Sequence, residues 1–275
     1  MTAILDAHTH LLPGRLAQKV RTFLERHLPG PLVYPLDHEA VLEQLHAEGV
    51  QEVWSFPYAH RPGAARAMNE ASAETMRRFA GGPVSVTAGA TVHPGDDDPA
   101  GIVAEALDTF GLRLLKLHCS VGNFRLDDPR LTVVWELATS RRLPVIVHLG
   151  KAISGHTAAD DIAELTWVLD RYPEMRVVLA HSGHNAGSVV WSLLERYPNL
   201  YLDLTPVVNE PVPLPPSNPG GLAGRLLFGS DAPNTAIPVG RQLERLHRLA
   251  LDPAAEAEIL GGTARRLLAQ VRSDG

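Results

Sequence analysis

Short apolar runs recur along the chain, separated by longer stretches whose apolar residues return every three or four positions. The first pattern suits buried strands and the second amphipathic helices, so the alternation predicts βα units and a parallel sheet. The expected strands are 3–8, 52–57, 84–92, 112–118, 144–148, 176–181, 200–205 and 225–230. Several, such as the run from Pro144 to His148, are apolar at nearly every position, as strands covered on both faces should be. Eight such strands closed on themselves form a (β/α)8 TIM barrel, and 275 residues suit one barrel domain spanning 1–275.

The expected helices are 38–48, 64–80, 98–110, 131–142, 158–172, 186–197 and 239–249. Asp37 is placed to cap the first of these, and Gly49 to stop it. The pairs Tyr172-Pro173 and Tyr197-Pro198 end helices just before the next strand. Two stretches break the rhythm. Residues 15–27 predict an extra amphipathic helix after the first strand, and 206–224 are rich in Pro and Gly without a helical period. The barrel is therefore expected to be distorted after strand seven, with its seventh helix degenerate or missing. Both stretches follow strand C-terminal ends, where the substrate loops of such barrels sit.

Composition narrows the partners. Lys and Arg number 25 against 31 Asp and Glu, a net charge of −6, with no basic stripe, which argues against nucleic acid. No apolar run approaches the length of a membrane span, and no leader pattern precedes the first strand, so a cytoplasmic protein with a small-molecule partner is expected. Cys119 is the only cysteine; it excludes an internal disulfide and reads as a small buried hydrophobe.

The 13 histidines carry the candidate chemistry. His8 and His10 close the first strand two residues apart, so strand geometry aims both imidazoles at one point. His148, His181 and Asp231 close three later strands. In a parallel barrel all these ends share one rim, and imidazole with carboxylate suits zinc first, with manganese, iron or cobalt as alternatives. Lys116 and His118 share one face of strand four and should look into the barrel. Asp6 is expected to sit deeper and brace the strand, and Asp203 reads as structural. Lys151 and His156, in the loop after strand five, either reach substrate or are solvated. Arg265, Arg266 and Arg272 read as an exposed helix face.

These pieces carry a family resemblance. DAHTHLLP, LLKLHCSVGNFRLDD, LPVIVHLGK, VVLAHSGH, NLYLDLT, LLFGSDAP and GGTARRLL occur in order over nearly the whole chain. The chain resembles the amidohydrolase superfamily, in particular its amidohydrolase-2 branch, which includes aminocarboxymuconate-semialdehyde decarboxylase-like enzymes. The resemblance implies one divalent metal held by His8, His10, His148 and Asp231, with Asp231 also taking a proton. It implies that His181 acts as an acid/base or oxyanion-stabilising group. Lys116 carries a carboxyl bridge to a second metal in binuclear members; the Lys-Leu-His pattern here resembles the one-metal branch. Lys116, His118, His184, Lys151 and His156 are the expected substrate contacts. Thr263 replaces the usual Asn of the last motif, and His184 replaces a usual Gly.

The implied reaction is hydrolysis of a lactone, amide or ester by a metal-activated water. Nonoxidative decarboxylation of a small carboxylic acid uses the same site and stays open. So does a non-catalytic metal-binding barrel, whose mark would be a lost ligand. A histidinol-phosphatase-like phosphoesterase also begins with His-x-His, but the ending Phe-Gly-Ser-Asp-Ala-Pro favours the amidohydrolase pattern. Related barrels are often dimers, so a homodimer is the expectation by analogy.

Overall fold

A computed structural model describes residues 3–27, 30–149, 157–207, 210–211 and 219–272. In chain order the elements are β1 (Ile4–Thr9), α1 (Gly14–His27), α2 (His38–Ala47), β2 (Val50–Ser55), α3 (Ala65–Arg78), β3 (Ser85–Ala88), β4 (Ala90–Thr91), α4 (Pro99–Asp108), β5 (Leu115–His118) and the single turn α5 (Cys119–Gly122). There follow α6 (Thr132–Ser140), β6 (Pro144–His148), α7 (Ala158–Arg171), β7 (Arg176–Leu179), α8 (Val189–Arg196), β8 (Leu200–Asp203), β9 (Leu226–Leu227), α9 (Val239–His247), α10 (Pro253–Ala257) and α11 (Thr263–Ala269). The extra helix expected at 15–27 is α1, and Asp37 caps α2 by accepting the Ala40 N–H at 3.0 Å.

Every strand pairs in parallel with its sequence neighbour, in runs β1-β2-β3 and β4-β5-β6-β7-β8-β9. The expected strand 84–92 is divided at Gly89. There the chain passes from one run to the other: Gly89 N–H donates to Ser55 O at 2.8 Å, and Ala90 N–H to Leu114 O at 2.7 Å. A Cβ at Gly89 would stand 2.9 Å from Phe56 Cβ and 3.2 Å from Leu114 Cβ, so the residue where the strand bends must be small. The last and first strands join as well. Ala7 N–H donates to Phe228 O, Asp231 N–H to His8 O and His10 N–H to Ala232 O, each at 2.8 Å. The fold is an α/β barrel of TIM type.

Two apolar layers follow from the strand alternation. Leu5, Ala7, Trp54, Phe56, Leu114, Ile146, Val178, Ala180 and Leu227 form the inner cluster. Val145, Val147, Val177 and Leu179 face outward and pack with Val134, Trp135 and Leu165 of the surrounding helices.

Several boundaries move. β7 stops at Leu179, before His181, and β9 keeps only Leu226–Leu227 of the expected 225–230, because the chain turns away early to build the rim. A 3-10 turn, Pro219–Arg225, stands where the seventh helix would be, as the Pro/Gly composition of that stretch predicts. Of the C-terminal arginines, Arg266 and Arg272 are exposed, as expected, and Arg265 is half-buried. Arg265 pairs with Glu52 at 2.7 Å and donates to Ala3 O at 2.9 Å. Arg266 pairs with Glu258 at 2.6 Å, and Arg272 N–H donates to Arg141 O at 2.8 Å. Ala264 and Leu267 of α11 join the inner cluster, so this helix covers the barrel end remote from the site. Among the described residues no helix is long and apolar enough to cross a membrane.

The crowding at Gly89 makes it a test of the barrel. Gly89→Ala is expected to lower the urea midpoint by an amount equivalent to about 1–3 kcal/mol, with the slope of the transition unchanged. A midpoint equal to that of the parent protein would mean that the strand does not bend through a closed ring there.

Candidate metal centre

His8 reaches the barrel interior through an irregular strand. Leu5 and Ala7 belong to the inner cluster, so strict alternation would turn His8 outward. The β1–β2 register slips between Asp6 and Thr9, three residues of β1 spanning two of β2. One extra residue places Ala7 and His8 on the same side, as a bulge does. Asp6 holds this kink from behind, its Oδ1 accepting His8 N–H at 3.1 Å and Ser230 N–H at 2.9 Å. Burial pushes the Asp6 carboxyl up to about 7. A glycine completes the approach: a Cβ on Gly229 would stand 2.8 Å from the His8 Cβ.

Hydrogen bonds set the imidazole tautomers. His8 Nδ1 lies 2.9 Å from Asp203 Oδ2, and His10 Nδ1 lies 2.9 Å from Phe56 O. Both partners only accept, so in each neutral ring Nδ1 carries the hydrogen and Nε2 a lone pair. The two Nε2 atoms are 3.2 Å apart, and Asp231 Oδ1 lies 3.3 Å from His10 Nε2 and 3.8 Å from His8 Nε2. Three lone pairs facing one another repel unless a cation, a proton or a metal ion, lies among them. Ligand atoms at zinc distance in a tetrahedral arrangement are about 3.3 Å apart. The donor set therefore fits a divalent ion.

His181 joins from the turn that follows β7. Its Nε2 is also the lone-pair nitrogen, because Nδ1 lies against two carbonyls, Thr205 O at 3.3 Å and Pro206 O at 3.2 Å. His8, His181 and Asp231 offer ligand atoms within 4.8 Å of one another. His181 and Asp231 both adopt left-handed backbone conformations, φ 52° and 67°, which cost free energy in non-glycine residues. Asp203 offsets part of this cost at His181. Its Oδ1 accepts the His181 N–H at 2.8 Å while Oδ2 holds His8, and the Ser182 hydroxyl donates to its carbonyl at 2.8 Å. Burial would raise the Asp203 carboxyl, but the His8 ring outweighs it and keeps the group ionised. Burial likewise opposes the lowered Asp231 value, which is sustained only when a proton lies between Asp231 Oδ1 and His10 Nε2, the position a metal ion would otherwise take.

The other wall comes from β5 and β6. Their register sets His118 beside His148, and the rings stack 3.8 Å apart at 15°. His148 also meets the His181 ring at 4.8 Å. His118 is the opposite tautomer: its Nδ1 accepts the Val121 N–H at 3.3 Å, leaving the hydrogen on Nε2. Lys116 is wholly buried, its Nζ without a hydrogen-bond partner among the described residues and 4.9 Å from the centre of the Phe56 ring. Loss of solvent lowers the Lys116 ammonium to about 8.

The barrel thus brings His8, His10, His118, His148, His181, Asp231 and Lys116 to one place. His184 lies half-buried in the segment after β7, and Lys151 and His156 lie outside the described residues. Asp203 is more than structural, since it sets the tautomer of His8. Its strand-end position in NLYLDLT was the available signal. Tyr58, beyond β2, has its ring 5.3 Å from His10 and 5.0 Å from His118. Neither periodicity nor spacing marked it. His93 opens a turn after β4, its N–H bound to Asp96 and its Nε2 to Gly122 O.

An α/β barrel with imidazoles and a carboxylate gathered at its strand ends defines a class of protein. Within that class the chain belongs to the Amidohydrolase family, whose sequence pattern matches residues 5–270. An uncharacterised TIM-barrel protein from Bordetella bronchiseptica is similar in fold, with TM-score 0.75 and 21% identity over 98% of this chain and 99% of that one. The 5-carboxyvanillate decarboxylase of Sphingomonas paucimobilis aligns with TM-score 0.66 and 14% identity, over 98% and 100% of the two chains. The 4-oxalomesaconate hydratase of Rhodopseudomonas palustris gives 0.64 and 18%, over 97% and 96%. No curated relative matches the chain in sequence.

The buried imidazoles make metal-free stability depend on pH. Loss of solvent is the first cause holding His8, at about 3, and His118, His148 and His181 below the ordinary 6.5. The unfolded chain then binds these protons at higher pH than the folded one, so their contribution is complete above 6.5 and lost as pH falls. Asp6, raised from 3.8, acts with the opposite sign, but one group opposes four. Protein stripped with EDTA should melt at a clearly lower temperature at pH 5.5 than at pH 7.5. Equal melting temperatures would contradict the neutral, lone-pair state of these rings.

Proposed function

We propose that this chain is a metal-dependent hydrolase of a small carbonyl compound, a lactone, amide or ester. The observation that carries the reading is the triangle of His8 Nε2, His10 Nε2 and Asp231 Oδ1. These three, with His148, would hold one divalent ion, zinc by the chemistry of the donors. A bound ion of this kind polarises an oxygen and brings the pKa of a water toward about 7.

The chain's own groups supply the rest. Asp231, ionised and left-handed at the rim, accepts the proton of the attacking water. Asp203 holds the His8 ring in the tautomer that turns Nε2 inward. His181 Nε2, free to accept, takes over that proton from Asp231 and delivers it to the leaving group. Its Nδ1 hydrogen stays committed to Thr205 O and Pro206 O, which keeps the ring oriented through the transfer. Lys116 and His118 face substrate with hydrogen-bond donors, and His184 lies beside the same rim. A lone-pair His181 Nε2 does not donate to an oxyanion, so that role passes to the donor wall.

Lys116 favours a second reading, nonoxidative decarboxylation. A wholly buried ammonium without a partner among the described residues suits a substrate carboxylate, and a structure of similar fold is a 5-carboxyvanillate decarboxylase. In that reaction His181 or Asp231 would deliver the proton to carbon. A panel of lactones, amides and aromatic carboxylates separates the two. Incorporation of labelled water oxygen into product supports hydrolysis, and release of carbon dioxide supports decarboxylation.

Protein purified without chelators should carry about one divalent ion per chain by elemental analysis. If it carries none and binds no added zinc or manganese, the metal reading fails. His181→Asn should keep the ion and lose about 100- to 10,000-fold in turnover. Asp203→Asn should weaken zinc about 10- to 100-fold, because the His8 tautomer is no longer imposed.

A further inference from the structure

Tyr58 has no part in the scheme above, yet it touches both sides of the site. Its ring meets His10 edge-on, at 86°, and tilts against His118, at 58°. From behind it is gripped by Leu12 and Ala17, with Leu16, Val20 and Val121 packed around them. The ring is therefore fixed, with 8% of the residue exposed. Among the described residues no hydrogen-bond partner meets its hydroxyl. A phenol ordinarily ionises only at about pH 10, so at neutral pH the hydroxyl is a hydrogen-bond donor.

His118 is the matching group. His8, His10 and His181 turn lone pairs inward, whereas His118 has its hydrogen on Nε2 because Nδ1 is occupied by the Val121 N–H. The stack on His148 holds that ring in place. Two fixed, neutral donors thus stand next to a cluster of acceptors. Such donors favour negative charge on oxygen and need no rearrangement when it develops.

We propose that the Tyr58 hydroxyl and the His118 Nε2–H form an oxyanion pocket beside the metal ligands. The pocket takes a negatively charged oxygen of the substrate, the alkoxide-like oxygen of a tetrahedral intermediate or one oxygen of a carboxylate. This rests on the metal reading only for the position of the substrate; the donors themselves belong to the chain.

The test is calorimetric titration of methylphosphonate, a tetrahedral oxyanion, into zinc-loaded protein. Parent, Tyr58→Phe and His118→Phe chains are compared. Both variants keep an aromatic ring, and thermal melts check that they fold. Each should bind methylphosphonate about tenfold or more weakly, while zinc affinity, titrated separately, stays at the parent value. Acetate titrated in parallel distinguishes the two sources: a loss confined to methylphosphonate assigns the pocket to the tetrahedral oxygen, and an equal loss assigns it to a carboxylate. Parent-like methylphosphonate and acetate binding by Tyr58→Phe, or no binding of either by the parent, overturns the proposal. If the parent takes up no zinc, the metal reading fails on its own. The same titrations on metal-free protein then decide the pocket: Tyr58-dependent binding retains it, and absent or Tyr58-independent binding overturns it.

Discussion

The Asp231 N–H donates to the His8 carbonyl across the seam where the first and last strands meet. This bond joins residues at opposite ends of the chain and gives the site its dimensions. Closing the ring places a carboxylate from the last strand end 3.3 Å from a ring nitrogen of the first. Without closure the same residues would be scattered polar groups on separate strand ends, each costly to bury. The small residues at Gly89 and Gly229 serve the same constraint, since side chains there would hold neighbouring strands apart.

Asp203 links the parts that closure assembles. Its two oxygens act on different residues, one fixing the tautomer of His8 and the other anchoring the backbone of His181 in a left-handed turn. A single buried carboxylate thus sets both the direction of a lone pair and the location of a second imidazole. A neutral side chain in its place would do the second task poorly and the first in only one of its two orientations.

The site that results has two poles. His8, His10, His181 and Asp231 present acceptors, while Lys116, His118 and Tyr58 present donors. On the proposed reading a cation takes the first pole and a negatively charged oxygen the second. On the same reading, hydrolysis and decarboxylation would both use that pairing, with a substrate bearing a polarised or charged oxygen.

Much of this was legible in the chain itself. Apolar runs alternating with amphipathic stretches marked the barrel, because burial on both faces leaves few polar positions in a strand. Histidines at strand ends marked the site, because strand direction carries such ends to one rim. The alternation could not reveal the slip in β1, since a bulge depends on the pairing with β2 and not on residue type. Nor could it place His181 in a left-handed turn, separate the tautomer of His118 from that of His8, or bring Tyr58 between two histidines. Residue types and their periodicity determined which groups reach the rim. Only the tertiary structure decided which way each lone pair and hydrogen points, because that is set by partners far away in sequence.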